Sequence, residues 1–296
     1  MSYAADVKNE LCTFAVEKEC DAIAELFGIL MFSNMFSPRE IRISTSNAAV
    51  RDRIITLFRR CFSYELSYVC LTRKYIFSIN ERDLISQILH AFGVDTEKHI
   101  SIRLNRALLE EDCCRSAFLR GAFLLGGSVS DPEKSYHLEL VTNHYNLSRE
   151  MMALLMDMEF EPKITVRKSN YVMYFKFSES IEDFLTKIGA PISAMKMMTA
   201  KVEKEVRNQV NRQVNCETAN ITKTIEAAMQ QIEAIERLRE NGGLDQLAED
   251  LRLVAQTRLE YPELSLAQLA DKFDPPMRKA TLNYKLKKLL SLGLAE

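Results

Sequence analysis

The sequence lacks the overall positive charge that often accompanies nucleic-acid binding. Its 39 lysines and arginines are outnumbered by 41 aspartates and glutamates, which gives a formal net charge of -2. Any electrostatic signal for DNA must therefore come from local clusters of basic residues. No apolar run approaches the roughly 18 residues needed to cross a bilayer, and the N-terminal segment lacks the basic and apolar regions of a signal peptide. We therefore expect a cytoplasmic protein with no membrane partner.

Cysteine and histidine spacings typical of redox or metal sites are also missing. The 7 cysteines are odd in number, contain no CxxC pair and include the neighbours Cys113 and Cys114. This pattern suits neither a disulfide framework nor a zinc site, so we expect reduced, mostly buried thiols. The four histidines, which show no ligand spacing, are His90, His99, His137 and His144. Since there is no Gly-rich phosphate loop and no nucleophile elbow either, the sequence predicts no metal, no cofactor and no catalytic residue.

The first two thirds of the chain contain an internal repeat. The segments 26–34 and 119–127 are both largely apolar, and their third positions are Gly28 and Gly121. Each is followed by an alternating strand pattern, a helical stretch, further strand-like segments and an amphipathic helix. The unit is αββαββα, and its period of about 95 residues fits a duplicated α+β domain rather than a solenoid. Because glycine has no side chain, the two apolar segments can pair as closely approaching helices.

The repeat places individual strands in both copies. In the first copy we expect strands at 41–47, 64–71 and 74–79, and in the second copy at 138–143, 163–167 and 171–177. A helical stretch in each copy ends in a phenylalanine, at Phe62 and at Phe160. After Pro191 the strand patterns disappear, and apolar positions instead recur every three or four residues. They predict three helical stretches, around 202–214, 225–238 and 244–259. The chain therefore combines an α+β N-terminal domain with an all-α C-terminal domain.

The two apolar segments resemble the motif of the LAGLIDADG homing endonucleases. In that family the motif helices pair between half-domains, two four-stranded sheets form a saddle on DNA, and the last acidic residue of each motif binds the catalytic metal. The resemblance places these two positions at Ser33 and Gly126, neither of which can be an anionic ligand. Phosphodiester cleavage needs carboxylates to hold the divalent ions. The resemblance therefore implies two tandem LAGLIDADG-like repeats without nuclease activity.

Longer strings resemble a narrower family, the bacterial WhiA regulators, in which a degenerate LAGLIDADG-like domain precedes a C-terminal helix-turn-helix. These strings are FLRGAF at 118–123, GGSVSDP at 126–132, NRQVNCETAN at 211–220 and DPP at 274–276. The resemblance covers almost the whole chain. The expected domains are a first half at 1–105, a second half at 106–190 and a helical domain at 191–296, with the helix-turn-helix at about 264–296. The resemblance implies roles in cell division, chromosome segregation and, in sporulating relatives, sporulation.

The last segment has a helix-turn-helix pattern of its own. Ser265 and Gln268 form a capping box that opens a short helix. The sequence Asp274-Pro275-Pro276 breaks this helix, because proline lacks an amide proton and disfavours the α region in the preceding residue. A second helix starts near Met277 or Arg278. Its expected buried residues are Leu282, Leu286, Leu289 and Leu290.

Positive charge is concentrated on this second helix. Residues 275–296 hold five basic side chains and one acidic one, whereas residues 224–274 hold five basic and eleven acidic ones. We expect the helix to enter the major groove of double-stranded DNA, with base contacts near its N-terminus and phosphate contacts along its length. The predicted DNA-binding residues are Arg278, Lys279, Ala280, Thr281, Asn283, Tyr284, Lys285, Lys287 and Lys288.

Three functions stay open on the sequence alone. The first is a sequence-specific, nucleoid-associated DNA-binding regulator without enzymatic activity, with other regulatory or division proteins as further partners. The second is a protein-interaction scaffold acting on the division or segregation machinery. The third is an active homing endonuclease, which Ser33 and Gly126 oppose.

Two further surfaces also have alternative interpretations. One is the saddle, as an inherited DNA surface, a protein contact or a scaffold; its basic residues are Arg42, Arg73, Lys74, Lys163, Arg167 and Lys168. The other is a polar helix face that either packs on neighbouring elements or forms a second DNA or partner surface; its residues are Arg207, Asn208, Arg212 and Asn215.

Overall fold

The computed structural model describes residues 2–94 and 103–294. These residues divide into two compact units, 1–205 and 206–296, and the boundary falls inside the long helix Pro191–Glu240. Among the described residues, no helix combines the length and the apolar character that crossing a membrane requires.

The first unit contains two copies of the αββαββα repeat, which confirms the predicted fold class. After α1 (Tyr3–Thr13), the first copy comprises α2 (Glu19–Met31), β1 (Met35–Phe36), β2 (Ile41–Thr45), α3 (Ala48–Phe62), β3 (Val69–Leu71), β4 (Lys74–Ile79) and α4 (Arg82–Ala91). The second comprises α5 (Asp112–Gly126), β5 (Gly127–Val129), β6 (Leu138–Thr142), α6 (Tyr145–Asp157), β7 (Lys163–Arg167), β8 (Asn170–Phe175) and α7 (Ser178–Ile188). The two antiparallel sheets have the orders β1-β2-β4-β3 and β5-β6-β8-β7.

Strand alternation gives each sheet one face toward the helices and one face outward. On β2, Ile41 and Ile43 are buried while Arg42 is exposed. Two boundaries differ most from the predicted ones. The strand predicted at 64–71 is paired only over Val69–Leu71. The residues before it are not paired in the sheet, and Leu66 among them is buried in the core. The helix predicted to end at Phe160 ends at Asp157, before Glu159 adopts a positive φ of 66°.

The helices α2 and α5 pair as the glycine pattern predicts. A Cβ atom at Gly28 would collide with the carbonyl oxygen of Phe118, and a Cβ atom at Gly121 would collide with that of Glu25. The two contacts are equivalent in the two copies, so the backbones meet across a pseudo-twofold axis. Only glycine permits this approach at either position.

A buried ionic network crosses the same helix pair. The Glu25 side chain on α2 is fully buried and accepts hydrogen bonds from Arg53 at 2.7 and 2.8 Å and from Arg120 of α5 at 2.9 Å. Arg120 also donates to the carbonyl oxygen of Ile188 at 2.9 Å, and its guanidinium lies 4.2 Å from the centre of the Phe14 ring. The network therefore connects the first half-domain to the second through charged groups, of which Glu25 and Arg120 are buried and Arg53 is mostly buried.

The second unit is entirely helical among its described residues. It contains the end of α8 (Pro191–Glu240), a short 3-10 turn (Gly243–Gln246), α9 (Glu249–Glu260), α10 (Leu266–Ala270) and α11 (Lys279–Gly293). The sequence suggested separate helical stretches around 202–214 and 225–238, and this was wrong. They form one helix of 50 residues, because neither glycine nor proline interrupts the chain between Pro191 and Gly242.

Candidate nucleic-acid interface

The α10 and α11 helices are joined by a tight, hydrogen-bonded break. The capping box is confirmed: the Gln268 amide donates to the Ser265 hydroxyl at 3.4 Å, and the Ser265 amide donates to the Gln268 side-chain oxygen at 3.1 Å. After the two prolines, the Met277 amide donates to the Ala270 carbonyl at 3.0 Å. This bond holds the start of α11 against the end of α10.

The buried leucines of α11 determine which side of this helix faces solvent. Leu282, Leu286 and Leu289 are fully buried in a core shared with α8, α9 and α10, whereas Leu290 is only half-buried. Because these leucines recur at spacings of three and four residues, the opposite side of the helix must face outward.

That outward side carries most of the predicted DNA-binding residues. We call it the recognition face, and it consists of the exposed residues Arg278, Lys279, Ala280, Thr281, Tyr284, Lys287 and Lys288. Arg278 is the N-cap residue and Lys279 the first residue of α11. Tyr284 is 69% exposed, which is unusual for so large an aromatic side chain. Four positive charges and one aromatic ring are therefore presented together to solvent.

Two predicted site residues lie off the recognition face. Asn283 is half-buried. Lys285 is turned toward α9, where its ammonium group lies 2.9 Å from a carboxylate oxygen of Asp250. This hydrogen bond lowers the pKa of Asp250. Because its charge is already paired within the unit, Lys285 differs from the four basic residues of the recognition face and offers a matched control for them.

A buried arginine that was not predicted from the sequence supports the start of α10. Arg258 on α9 is 1% exposed and donates to the Leu264 carbonyl at 2.7 Å, directly before the capping residue Ser265. Burial lowers the pKa of Arg258. Arginine is rarely buried, and only its position on the inner side of α9 next to Leu251 and Val254 could have indicated this role.

The two positions that the sequence predicts as degenerate nuclease positions lie at the C-terminal ends of the paired helices. Ser33 follows the end of α2, and its hydroxyl donates to the Leu30 carbonyl at 2.7 Å. Gly126 is the last residue of α5, and a Cβ atom there would collide with the Phe32 ring and lie 2.9 Å from the Val141 carbonyl oxygen. The space that a metal-binding carboxylate would need at position 126 is therefore occupied by Phe32.

Restoring acidic residues at these positions is expected not to restore cleavage. Ser33→Asp/Gly126→Asp should remain inactive on plasmid DNA with Mg²⁺, because the second side chain has no room. We also expect it to melt below wild type, since overpacking typically costs about 1–3 kcal/mol. Ser33→Asp alone, at a half-buried position, is the control and should melt close to wild type. Nicking of DNA by a double variant that melts like wild type would contradict this account.

The saddle and the polar face of α8 are the two other surfaces that the sequence predicts, and some of the saddle's basic residues are already paired with acidic ones. On the saddle, Arg42 pairs with Glu40 and Arg167 pairs with Glu139. Arg73 and Lys168 lie in the positive-φ hairpin turns beside β3 and β7. Lys74 and Lys163 are exposed. The polar residues predicted on α8 do not pack on neighbouring elements, because the whole stretch 205–227 is exposed.

The cysteines are less buried than expected. Only Cys114 is buried, whereas Cys20, Cys70 and Cys216 are exposed and the other three are half-buried. Cys20, Cys113 and Cys114 lie together with Asp21. Of the histidines, His99 lies outside the described residues, and none of the other three belongs to a cluster of possible metal ligands within the described part of the chain. Burial lowers the pKa of His144.

Comparisons with known proteins agree on both parts of the chain. The WhiA LAGLIDADG-like domain matches residues 115–207, and the WhiA C-terminal HTH domain matches residues 210–292. The probable cell division protein WhiA of Ruminiclostridium cellulolyticum is 38% identical over 301 residues, covering 98% of this chain and 96% of that protein. Its namesake from Syntrophomonas wolfei is 38% identical over 304 residues, with the same coverage.

A solved structure matches over the full length. The crystal structure of full-length DUF199/WhiA from Thermotoga maritima gives a TM-score of 0.62 at 26% identity, covering 100% of this chain and 99% of that one. The fold is thus a duplicated LAGLIDADG-like domain joined to a helix-turn-helix domain. The chain belongs to the WhiA family.

Proposed function

We propose that this chain is a sequence-specific DNA-binding regulator that contacts double-stranded DNA through α11 and does not cleave it. The observation that carries the proposal is the recognition face, which presents four basic residues and Tyr284 on a helix whose other side is anchored by three buried leucines. A second helix of a helix-turn-helix presented in this way fits the major groove.

Contacts to bases and contacts to phosphates have different roles in this proposal. Arg278 and Lys279 stand at the N-terminal end of α11, where a recognition helix comes nearest to base edges. A bidentate arginine contact to guanine provides about 1–3 kcal/mol of discrimination between bases. Lys287 and Lys288 lie more than two turns further along and contact phosphates, which adds affinity without sequence information. Thr281 and Tyr284 lie between the two pairs and contact bases or phosphates.

The absence of cleavage follows from the two former metal positions. Ser33 and Gly126 provide no carboxylate, and Phe32 fills the space beside Gly126. The nearest acidic side chain on α2 is Glu25, which is buried and bound to two arginines. Without anionic ligands the site cannot hold divalent ions at a scissile phosphate.

The cellular process is proposed from the relatives. Both similar proteins described above carry the name probable cell division protein WhiA. We propose that this chain also regulates cell division, with chromosome segregation and, in sporulating hosts, sporulation as finer roles. The corresponding location is the cytoplasm, in association with the nucleoid, and other regulatory or division proteins are further partners.

Selection from a chromosomal fragment pool tests the DNA-binding proposal. Full-length protein is incubated with the pool in Mg²⁺ at several salt concentrations, and bound fragments are sequenced and sized. We expect a subset of fragments to be enriched and intact, with affinity falling as salt rises. Enrichment of no subset would favour a protein-interaction scaffold over a DNA reader, and cut fragments would overturn the claim that the chain does not cleave.

A further inference from the structure

Three thiols and one carboxylate meet where the paired helices α2 and α5 begin. The Sγ atoms of Cys20, Cys113 and Cys114 and a carboxylate oxygen of Asp21 all lie within 4.8 Å of one another. The Asp21 oxygen is 3.7 Å from the Cys20 sulfur and 3.8 Å from the Cys114 sulfur. These four side chains come from two segments more than ninety residues apart, so the helix pairing alone brings them together.

The cluster follows the internal symmetry of the fold. Cys20 precedes Gly28 by 8 residues, and Cys113 precedes Gly121 by 8 residues. In the same way, Asp21 and Cys114 each stand 7 residues before their glycine. Each half-domain therefore contributes two consecutive ligands at the same repeat positions, and the four side chains surround the pseudo-twofold axis.

The distances and ligand types suit one particular ion. Zinc binds four ligands tetrahedrally at about 2.3 Å for sulfur and about 2.0–2.2 Å for carboxylate oxygen, so its neighbouring ligand atoms lie roughly 3.5–3.8 Å apart. The Asp21 oxygen already stands at such separations from two of the sulfurs, and small side-chain rotations would close the rest. Thiolates disfavour Mg²⁺ and Ca²⁺, and a carboxylate ligand disfavours Cu(I). Four protein ligands also leave no open position for catalysis.

The surroundings compensate the charge of such a centre. Three thiolates and one carboxylate around Zn²⁺ carry a net charge of about -2. The Lys18 ammonium group lies 3.8 Å from the Cys113 sulfur. Both helices also begin at this point, α2 at Glu19 and α5 at Asp112, and the N-terminal end of a helix favours negative charge. The positive groups are thus provided by both half-domains.

We propose that Cys20, Asp21, Cys113 and Cys114 bind one structural Zn²⁺ ion that links the two half-domains. The ion sits at the N-terminal ends of α2 and α5, whereas the degenerate nuclease positions Ser33 and Gly126 lie at the C-terminal ends. The site holds the helix pair together and takes no part in DNA cleavage. The sequence alone predicted no metal site. The reason is that each copy contains only two of the four ligands, so the spacing within one copy does not reveal the set.

Metal content and cobalt spectra of the full-length protein test this site. Wild-type protein is purified under reducing conditions without chelators, and zinc is measured by plasma mass spectrometry. We expect one zinc per chain. Replacing the zinc by Co²⁺ should give thiolate-to-cobalt charge-transfer bands and intense tetrahedral d–d bands. The test variant is Cys20→Ser/Cys113→Ser, and the matched control is Cys70→Ser/Cys216→Ser, which removes two exposed cysteines outside the cluster.

The variants separate a real site from incidental thiol binding. The control should retain one zinc and the cobalt spectrum, whereas the test variant should lose both. If the test variant does not fold, Asp21→Asn serves instead, and the proposal requires altered d–d bands and faster loss of zinc to a chelator. Reduced wild-type protein that does not bind zinc or cobalt stoichiometrically would overturn the proposal. A chain in which these thiols form a disulfide would overturn it as well. Equal metal content in test and control variants would also overturn it.

Discussion

Removing the four charges of the recognition face is expected to abolish specific DNA binding by the full-length chain. The residues changed to alanine are Arg278, Lys279, Lys287 and Lys288. Removing one base-reading side chain alone costs about 1–3 kcal/mol, or roughly 5- to 150-fold in affinity. In the plot of log affinity against log salt, the slope should flatten by about 0.9 for each phosphate that the variant no longer neutralises. Fluorescence anisotropy with a selected fragment measures both quantities.

Lys285→Gln is the matched control for this experiment. It also removes a positive charge from α11, but from a side chain that is paired with Asp250 rather than free on the recognition face. We therefore expect nearly wild-type affinity and an almost unchanged salt slope. If the quadruple variant binds as well as wild type, or if Lys285→Gln loses as much affinity as the quadruple variant, the assignment of the recognition face is wrong.

Removing the charge of Glu25 is expected to destabilise the N-terminal unit severely. Glu25→Gln leaves Arg120, which is 3% exposed, and the mostly buried Arg53 without a compensating anion. Breaking a buried ion pair from one side typically costs about 3–5 kcal/mol, because the remaining charge stays desolvated. Differential scanning calorimetry of the full-length chain should show the transition of this unit at a much lower temperature.

An exposed pair in the same unit provides the comparison. Glu65 receives a hydrogen bond from Arg59 at 2.6 Å, but its side chain is 72% exposed. Water solvates Arg59 when this pair is broken, so Glu65→Gln should leave the transition almost unchanged. Equal melting of Glu25→Gln and wild type would show that the network does not hold the two half-domains together.

Much of the fold follows from local patterns in the sequence. Gly28 and Gly121 stand at equivalent positions of two similar segments, which predicts the pairing of α2 and α5. The capping box at Ser265 and the prolines at 275 and 276 define the break between α10 and α11. These features are predictable because each depends on a backbone requirement that only a few residue types meet.

Features that depend on tertiary contacts were harder to predict from the sequence. The spacing of Val202, Val206, Val210 and Val214 suggests an apolar stripe typical of packing, yet all four are exposed. In the sequence, Lys285 is indistinguishable from the other basic residues of α11. Only the position of Asp250 on α9 shows that its charge is paired. The cysteine cluster was missed for a similar reason, because Cys20 and Cys113 become neighbours only after the helices pair. Their shared distance from the two glycines was the available signal.

Base-by-base discrimination tests most directly whether α11 reads the DNA sequence. Affinities are measured for a selected site and for each of its single base-pair variants, using wild type, Arg278→Ala/Lys279→Ala and Lys287→Ala/Lys288→Ala. Both double variants remove two exposed charges from the same helix. We predict that the first loses discrimination worth about 1–3 kcal/mol at particular base pairs, whereas the second weakens all sites evenly. An unchanged discrimination profile in both variants would contradict the account and would place the reader of the sequence outside α11.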